Sequence, residues 1–408
     1  MSESLEVPPR EAPPVASPPP LIRRAAPVGD ADRIHTLDVI RGMAVFGILL
    51  VNIEDFALIT DARYLPRLSG GEGFWNNLAW QATYVLADTK FITIFTLLFG
   101  AGIALGDQRR RATRERRALA YHRRMAFLAL LGLAHGVFLW DGDILYYYAV
   151  CALFLYFAPR IPTPLLFAIG LLLVASYSFL SSAFMLSFRG MYSYAEISLH
   201  QAPWLEQVWW RLGDLYFHAI FAPRFYALDL FGTMMIGMAL LQWGFLSGRA
   251  RLRVYLILAI WSFLVGLALT YGGTGFLPGF TSFGHAQLFF WGSSLMSLGY
   301  ISGAIAVGVL AHRMLPVRAL ASVGRMALTN YLMHSVICTT LFYGYGFGLY
   351  EKLDRIALLG VVGAICAAQL VLSPLWLRWF RFGPCEWGWR CVTYWQLQPL
   401  RRRPESAE

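Results

Sequence analysis

In "AHGVFLWDGD" (residues 134–143), a histidine is followed at short range by two aspartates, His135 with Asp141 and Asp143. Those residue types suit proton transfer. An imidazole works as a base when a carboxylate fixes its tautomer and raises its basicity, and Asp143 stands at the turn just beyond the apolar run that holds His135. Asn52, inside its run, and Asp88, at the outer mouth of the run 89–106, fall at similar depths, so His135, Asp143, Asn52 and Asp88 are candidates to line one pocket. A histidine between small residues can equally hydrogen-bond a neighbouring helix, and both readings stay open.

A second group suits anion binding. Arg41 and Arg325 lie inside apolar runs, where a guanidinium needs a partner or a polar cavity. If their helices touch, the two form a cationic notch for a phosphate or carboxylate, with Asp38 and Asn330 at comparable depth. The alternative is an internal ion-pair clamp of Asp38 and Arg41, with Glu386 as a third member. At 100° per residue, Asp38, Arg41 and Asn52 share a stripe within about 60° of one helix. His334 and Asn330 are one turn apart on one face, which fits a polar site or a helix-to-helix hydrogen bond.

The elements that must position these residues are membrane helices. The 408 residues are 57% hydrophobic and 14% charged, against about 25% charged for soluble domains. Ten apolar runs have the length of a bilayer-spanning helix: 35–54, 89–106, 121–140, 144–159, 165–187, 225–246, 254–271, 286–310, 322–344 and 356–377. The fold class read from them is all-α, a polytopic integral membrane bundle of about ten transmembrane helices. Most of the 34 Lys and Arg fall in loops on the side of the N-terminus, so the positive-inside rule makes both termini cytoplasmic. That bias also accounts for the net charge of +10 through contact with anionic lipid; nucleic acid is not an expected partner.

Residues 1–32 are proline-rich and read as a disordered cytoplasmic tail, 33–380 as the transmembrane domain, and 381–408 as a cytoplasmic tail at the interface, where Glu386 and Arg390 are spaced to pair. The segment 203–223, "PWLEQVWWRLGDLYFHAIFAP", reads as a helix in the outer interface, either an aromatic anchor or a lid over a pocket. No metal-ligand spacing stands out, and Cys151, Cys338 and Cys366 sit in apolar runs as small hydrophobes.

"LDVIRGMAVFGILLVN" (37–52) resembles the first helix of the membrane acyltransferase superfamily. The chain as a whole resembles its YeiB-like branch, known as domain of unknown function 418, through "FITIFTLLFGAGIAL" (91–105), "LLGLAHGVFLWDGDILYYYAV" (130–150), "VGRMALTNYLMHSVI" (323–337), "FYGYGFGLY" (342–350) and "FGPCEWGWRCVTY" (382–394). The resemblance implies a bacterial inner-membrane protein that transfers an acyl group from a cytoplasmic donor such as acyl-CoA to a glycan or lipid acceptor at the outer face. The alternative is a transporter or lipid-handling protein without covalent chemistry. In the related acyltransferase 3 branch, an arginine of the first helix is followed after ten residues by a working histidine. The same interval from Arg41 reaches Asn52, which cannot take a proton, so His135 inherits the role of base, with Asp143 orienting it.

Overall fold

The computed structural model describes residues 34–113, 117–184, 193–216, 222–275 and 282–402. The proline-rich tail of 1–32, residues 217–221 of the aromatic segment and the last six residues lie outside them. Among the described residues the architecture is helical throughout: α1 (His35–Ala57), α2 (Phe74–Leu86), α3 (Lys90–Thr113), α4 (Arg117–Phe138), α5 (Leu145–Phe154), α6 (Thr163–Phe184), α7 (Ser193–Gln201), α8 (Trp204–Gly213), α9 (Ala222–Gln242), α10 (Leu252–Gly273), α11 (Ser282–Leu310), α12 (Leu315–Arg325), α13 (Ala327–Phe342), α14 (Arg355–Trp379) and α15 (Pro384–Tyr394). An isolated bridge between Phe380 and Arg401 is the sole extended pairing among them.

Among the described residues, six stretches are long and apolar enough to cross a bilayer, namely α1, α2 with α3, α6, α10, α11 and α14. This is a helical membrane protein. Its lipid-facing surface is plain on α10, where Leu256, Ile257, Ile260, Trp261, Leu264 and Val265 are all exposed. Inside a bilayer such side chains cost nothing to expose, and every backbone group is satisfied within the helix.

Two departures from the sequence expectation shape the site. The run 322–344 is not one helix. The chain breaks at Met326, with α12 ending there and α13 starting afresh. The new N-terminus is capped from outside: the Glu386 carboxylate accepts from the backbone N–H of Leu328 (2.8 Å) and Thr329 (3.1 Å) and from the Thr329 hydroxyl (2.5 Å). A carboxylate there satisfies orphan donors and meets the positive end of the helix dipole. Glu386, expected to pair with Arg390, thus directs both oxygens at α13, while the Arg390 guanidinium stacks over Phe382 at 4.3 Å. The second departure is α2, a helix of 13 residues in a stretch expected to be loop.

We call the end of the bundle where α1 begins the base and the opposite end the crown. At the base, the Thr36 hydroxyl donates to the Leu246 carbonyl and the Trp389 indole to the Arg124 carbonyl. At the crown, Arg355, 2% exposed, reaches from α14 to Glu54 (3.3 Å) and to the carbonyls of Ala62, Pro66 and Ser69. That clamp fixes the loop after α1, which a buried charge requires if it is to be tolerated.

Candidate functional site

α4 and α5 form a tight hairpin, and the site grows from its turn. Asp143 lies just ahead of α5, and its Oδ2 accepts from the Tyr146 N–H at 2.8 Å, a capping contact. The other oxygen, Oδ1, meets His135 Nδ1 at 2.8 Å. Gly132 makes the approach feasible. A Cβ there would fall 2.3 Å from Tyr146 N and 2.7 Å from Asp143 Oδ2.

With Nδ1–H donating to the carboxylate, the lone pair of His135 is on Nε2, and there the structure places Ser335 Oγ at 2.8 Å. The tautomer follows from the partners. Ser335, His135 and Asp143 therefore form one hydrogen-bonded line, exposed by 1%, 2% and 6%. The Tyr331 ring, one turn before Ser335, packs 5.5 Å from the imidazole, and Trp140 lies edge-on at 6.4 Å.

A small pocket of about 30 Å³ adjoins the line on its Asp143 side, lined by Gly132, Gly136, Asp141, Asp143 and Tyr147 of the hairpin and by Arg211 and Leu215. That volume holds roughly one water. α8 roofs it: the Trp204 indole donates to the Phe138 carbonyl (2.8 Å), and Arg211 donates to the Val137 carbonyl (3.4 Å) and to Gln207 Oε1 (2.9 Å). α8 thus lies across the pocket, while its Trp204, Trp209 and Trp210 rings are exposed.

A second polar group lies beside it. Arg63 pairs with Asp55 at 2.6 Å and donates to the Val51 carbonyl. Burial alone would lower the Arg63 pKa; the carboxylates of Asp55 and then Asp88 outweigh it and hold the group above its ordinary value. Asp88 is 7% exposed, and both it and Asp141 are within electrostatic range of Asp55. Lys90, two residues on, is fully buried with its ammonium 4.4 Å over the Phe289 ring. The turn between α2 and α3 holds Thr89 at φ 66°, an unusual value for a β-branched residue. Asp88 is thus grouped with Asp55 and Arg63, and Asp141 links that group to the pocket. Asn52 is half-buried near the crown end of α1.

The base-side candidates divide. Asp38 and Arg41 pair at 3.0 Å. The helices carrying Arg41 and Arg325 do touch, at Gly42 and Gly324; a Cβ on Gly324 would collide with the Asp38 carbonyl. Asn330 donates to the Val323 carbonyl and to Ser373 Oγ, both at 3.1 Å, so it straps the break at Met326 to α14. His334 Nε2 meets Gln369 Oε1 at 2.9 Å, and its Nδ1 is buried with no hydrogen-bond partner. Sequence reasoning missed Ser335, Lys90, Asp55 and Arg63. Ser335 is adjacent to His334 in "MHSV" and gave no local signal, because its partner is 200 positions away.

An all-helical membrane protein with a buried Ser–His–Asp line near one end is the class defined by these observations. The model of the family described as "Protein of unknown function (DUF418)" matches residues 240–396. The chain is 33% identical over 393 residues to "Uncharacterized protein YeiB" of Escherichia coli (strain K12), covering 89% of this chain and 96% of that one. It is 31% identical over 398 residues to "Uncharacterized protein YxaH" of Bacillus subtilis (strain 168), covering 91% and 97%. A protein of Bacillus acidopullulyticus, "Uncharacterized 39.9 kDa protein in amylase 3'region", is 28% identical over 383 residues, 93% and 99% of the two chains. The chain belongs to the YeiB-like DUF418 family.

Proposed function

We propose that this protein is a membrane acyltransferase of the bacterial inner membrane, moving an acyl group from a cytoplasmic thioester such as acyl-CoA to a hydroxyl of a glycan or lipid on the other side. In this reading the ten runs, with α12 and α13 as one crossing, put both termini in the cytoplasm. The crown then faces outward. His135, held by Asp143, takes the proton of an attacking hydroxyl. Arg41 and Arg325, with Asp38 and Asn330 around them, receive the donor's phosphates at the base. Asn52 and Asp88 bound the acceptor side, and His334 stands between the two faces.

One observation carries the reading: His135 has its Nδ1 on a carboxylate and its Nε2 on a hydroxyl, both at 2.8 Å. That is the arrangement by which an imidazole is made a base. The test is acyl transfer by purified protein from labelled acyl-CoA. His135→Ala is expected to lower the rate by at least about 10²-fold, and an unchanged rate removes His135 from the mechanism.

A second reading, transport without covalent chemistry, draws on the strip of His334, Gln369, Asn330 and Ser373 between α13 and α14. Solute flux in proteoliposomes that is lost in Asn52→Leu or His334→Leu, with no acyl transfer from any thioester, would favour it.

A further inference from the structure

Ser335 departs from a common habit of the serines in these helices. A serine inside a helix ordinarily returns its proton to the carbonyl four residues back. Ser176, Ser294, Ser297, Ser302 and Ser322 all do so, at 2.7 to 3.0 Å. Ser335 instead meets the one ring nitrogen in the site that is free to accept, His135 Nε2 at 2.8 Å, while Asp143 holds the opposite nitrogen. We infer that Ser335 is a covalent nucleophile, and that the protein works in two half-reactions through an acyl-serine.

The depth of Ser335 argues for the same step, and here the inference rests on the acyl-transfer reading. Ser335 is eight residues into α13 from Ala327, where the helix starts beside the basic notch, and seven before its end at Phe342, so at about 1.5 Å per residue the hydroxyl lies roughly 12 Å above the start of α13 and 10 Å below the crown. A donor held at the base and an acceptor entering at the crown need not meet if the acyl group waits between them on the protein. In the first half-reaction Ser335 Oγ attacks the thioester carbonyl as its proton passes to His135 Nε2. The C–S bond breaks and the thiolate leaves with that proton, giving a serine ester and a free thiol. In the second, His135 takes the proton of the acceptor hydroxyl, the acceptor oxygen attacks the ester carbonyl, and Ser335 Oγ leaves and recovers the proton. Asp143 stabilises the imidazolium in both. The Ser335 hydroxyl is sealed at 1% exposure, so the carbonyl meets it in a conformation more open than this one.

The test uses the full-length protein in detergent, with wild type, Ser335→Ala, Ser335→Cys and His135→Ala in parallel. Each is incubated with labelled acetyl-CoA and palmitoyl-CoA without acceptor, and separately with a small fluorophosphonate, which labels activated serines whatever their acyl group. The α13 peptide is then read by mass spectrometry. Expected are one label on Ser335 in the wild type, none in Ser335→Ala, at least a tenfold slower labelling in His135→Ala, and in Ser335→Cys a thioester that neutral hydroxylamine removes. Acyl transfer at the wild-type rate in Ser335→Ala, or label on another residue, overturns the inference and leaves the acyl-transfer reading standing. Fluorophosphonate on Ser335 with no transfer from any thioester keeps the nucleophile and removes that reading. No label from any probe, with no transfer, overturns both.

Discussion

Asp143 shows how a single carboxylate does two jobs at once. One oxygen terminates α5 and the other orients His135, so the helix N-terminus fixes the carboxylate and the carboxylate fixes the ring. An Asp143→Asn variant keeps the shape but presents an amide where an acceptor is needed, which favours the wrong tautomer. Acyl transfer is expected to fall by about 10³–10⁴-fold with little change in thermal stability, measured as initial rate and melting temperature in the same detergent. Gly132→Ala should do the reverse in kind: its methyl would force α5 away from α4, lowering stability by about 1–3 kcal/mol in a denaturation series and loosening the same contact. His135 and Asp143 were legible in the sequence because eight residues and one turn separate them. Ser335 was not, because nothing in 330–340 says which face of α13 meets α4.

The broken helix carries the argument at the scale of elements. Apolar length marked 322–344 as one span, yet Met326 takes φ −111° and ψ 29° and the ladder restarts. The break survives because Glu386, on α15, supplies the acceptor that the first turn of α13 lacks. Such a dependence between segments about sixty residues apart leaves no mark in hydropathy, and α2 escaped notice for a related reason, being too short to stand out as a span. Burial raises the Glu386 pKa above the ordinary carboxylate range, against the hydrogen bonds from Thr329 and Leu328 that favour the ionised form. The folded protein therefore holds this proton more tightly than the unfolded chain. The stability so gained is full below the unfolded pKa and is lost as pH rises through the folded one. Melting temperatures of wild type minus Glu386→Gln, taken from pH 4 to pH 8, should decline across that window; a difference that climbs with pH would assign the opposite sign to the shift.

The same logic of paired ends extends to the whole molecule. Each of the ten apolar runs holds a helix among the described residues, and six helical stretches there have the length and hydropathy to cross by themselves. The others depend on packing: α5 is ten residues long, and a 3₁₀ turn over Leu155–Arg160 completes its run. On the proposed reading of ten crossings, α12 counted with α13 makes the number even, which would return the chain to the side it left, in keeping with the concentration of Lys and Arg in the base loops. Glu72, exposed beside α2 at the crown, and Met314, exposed at 58% in the turn before α12 at the base, sit on opposite ends of the bundle. In a background with the five native cysteines replaced by alanine, a membrane-impermeant maleimide should label Glu72→Cys in intact cells and Met314→Cys after the membrane is opened. Labelling of both in intact cells would mean an even count of crossings between them, and the reverse pattern would turn the molecule over. In that inverted case Ser335 and His135 would lie nearer the cytoplasm, within direct reach of a thioester, and the basic notch would lose its donor.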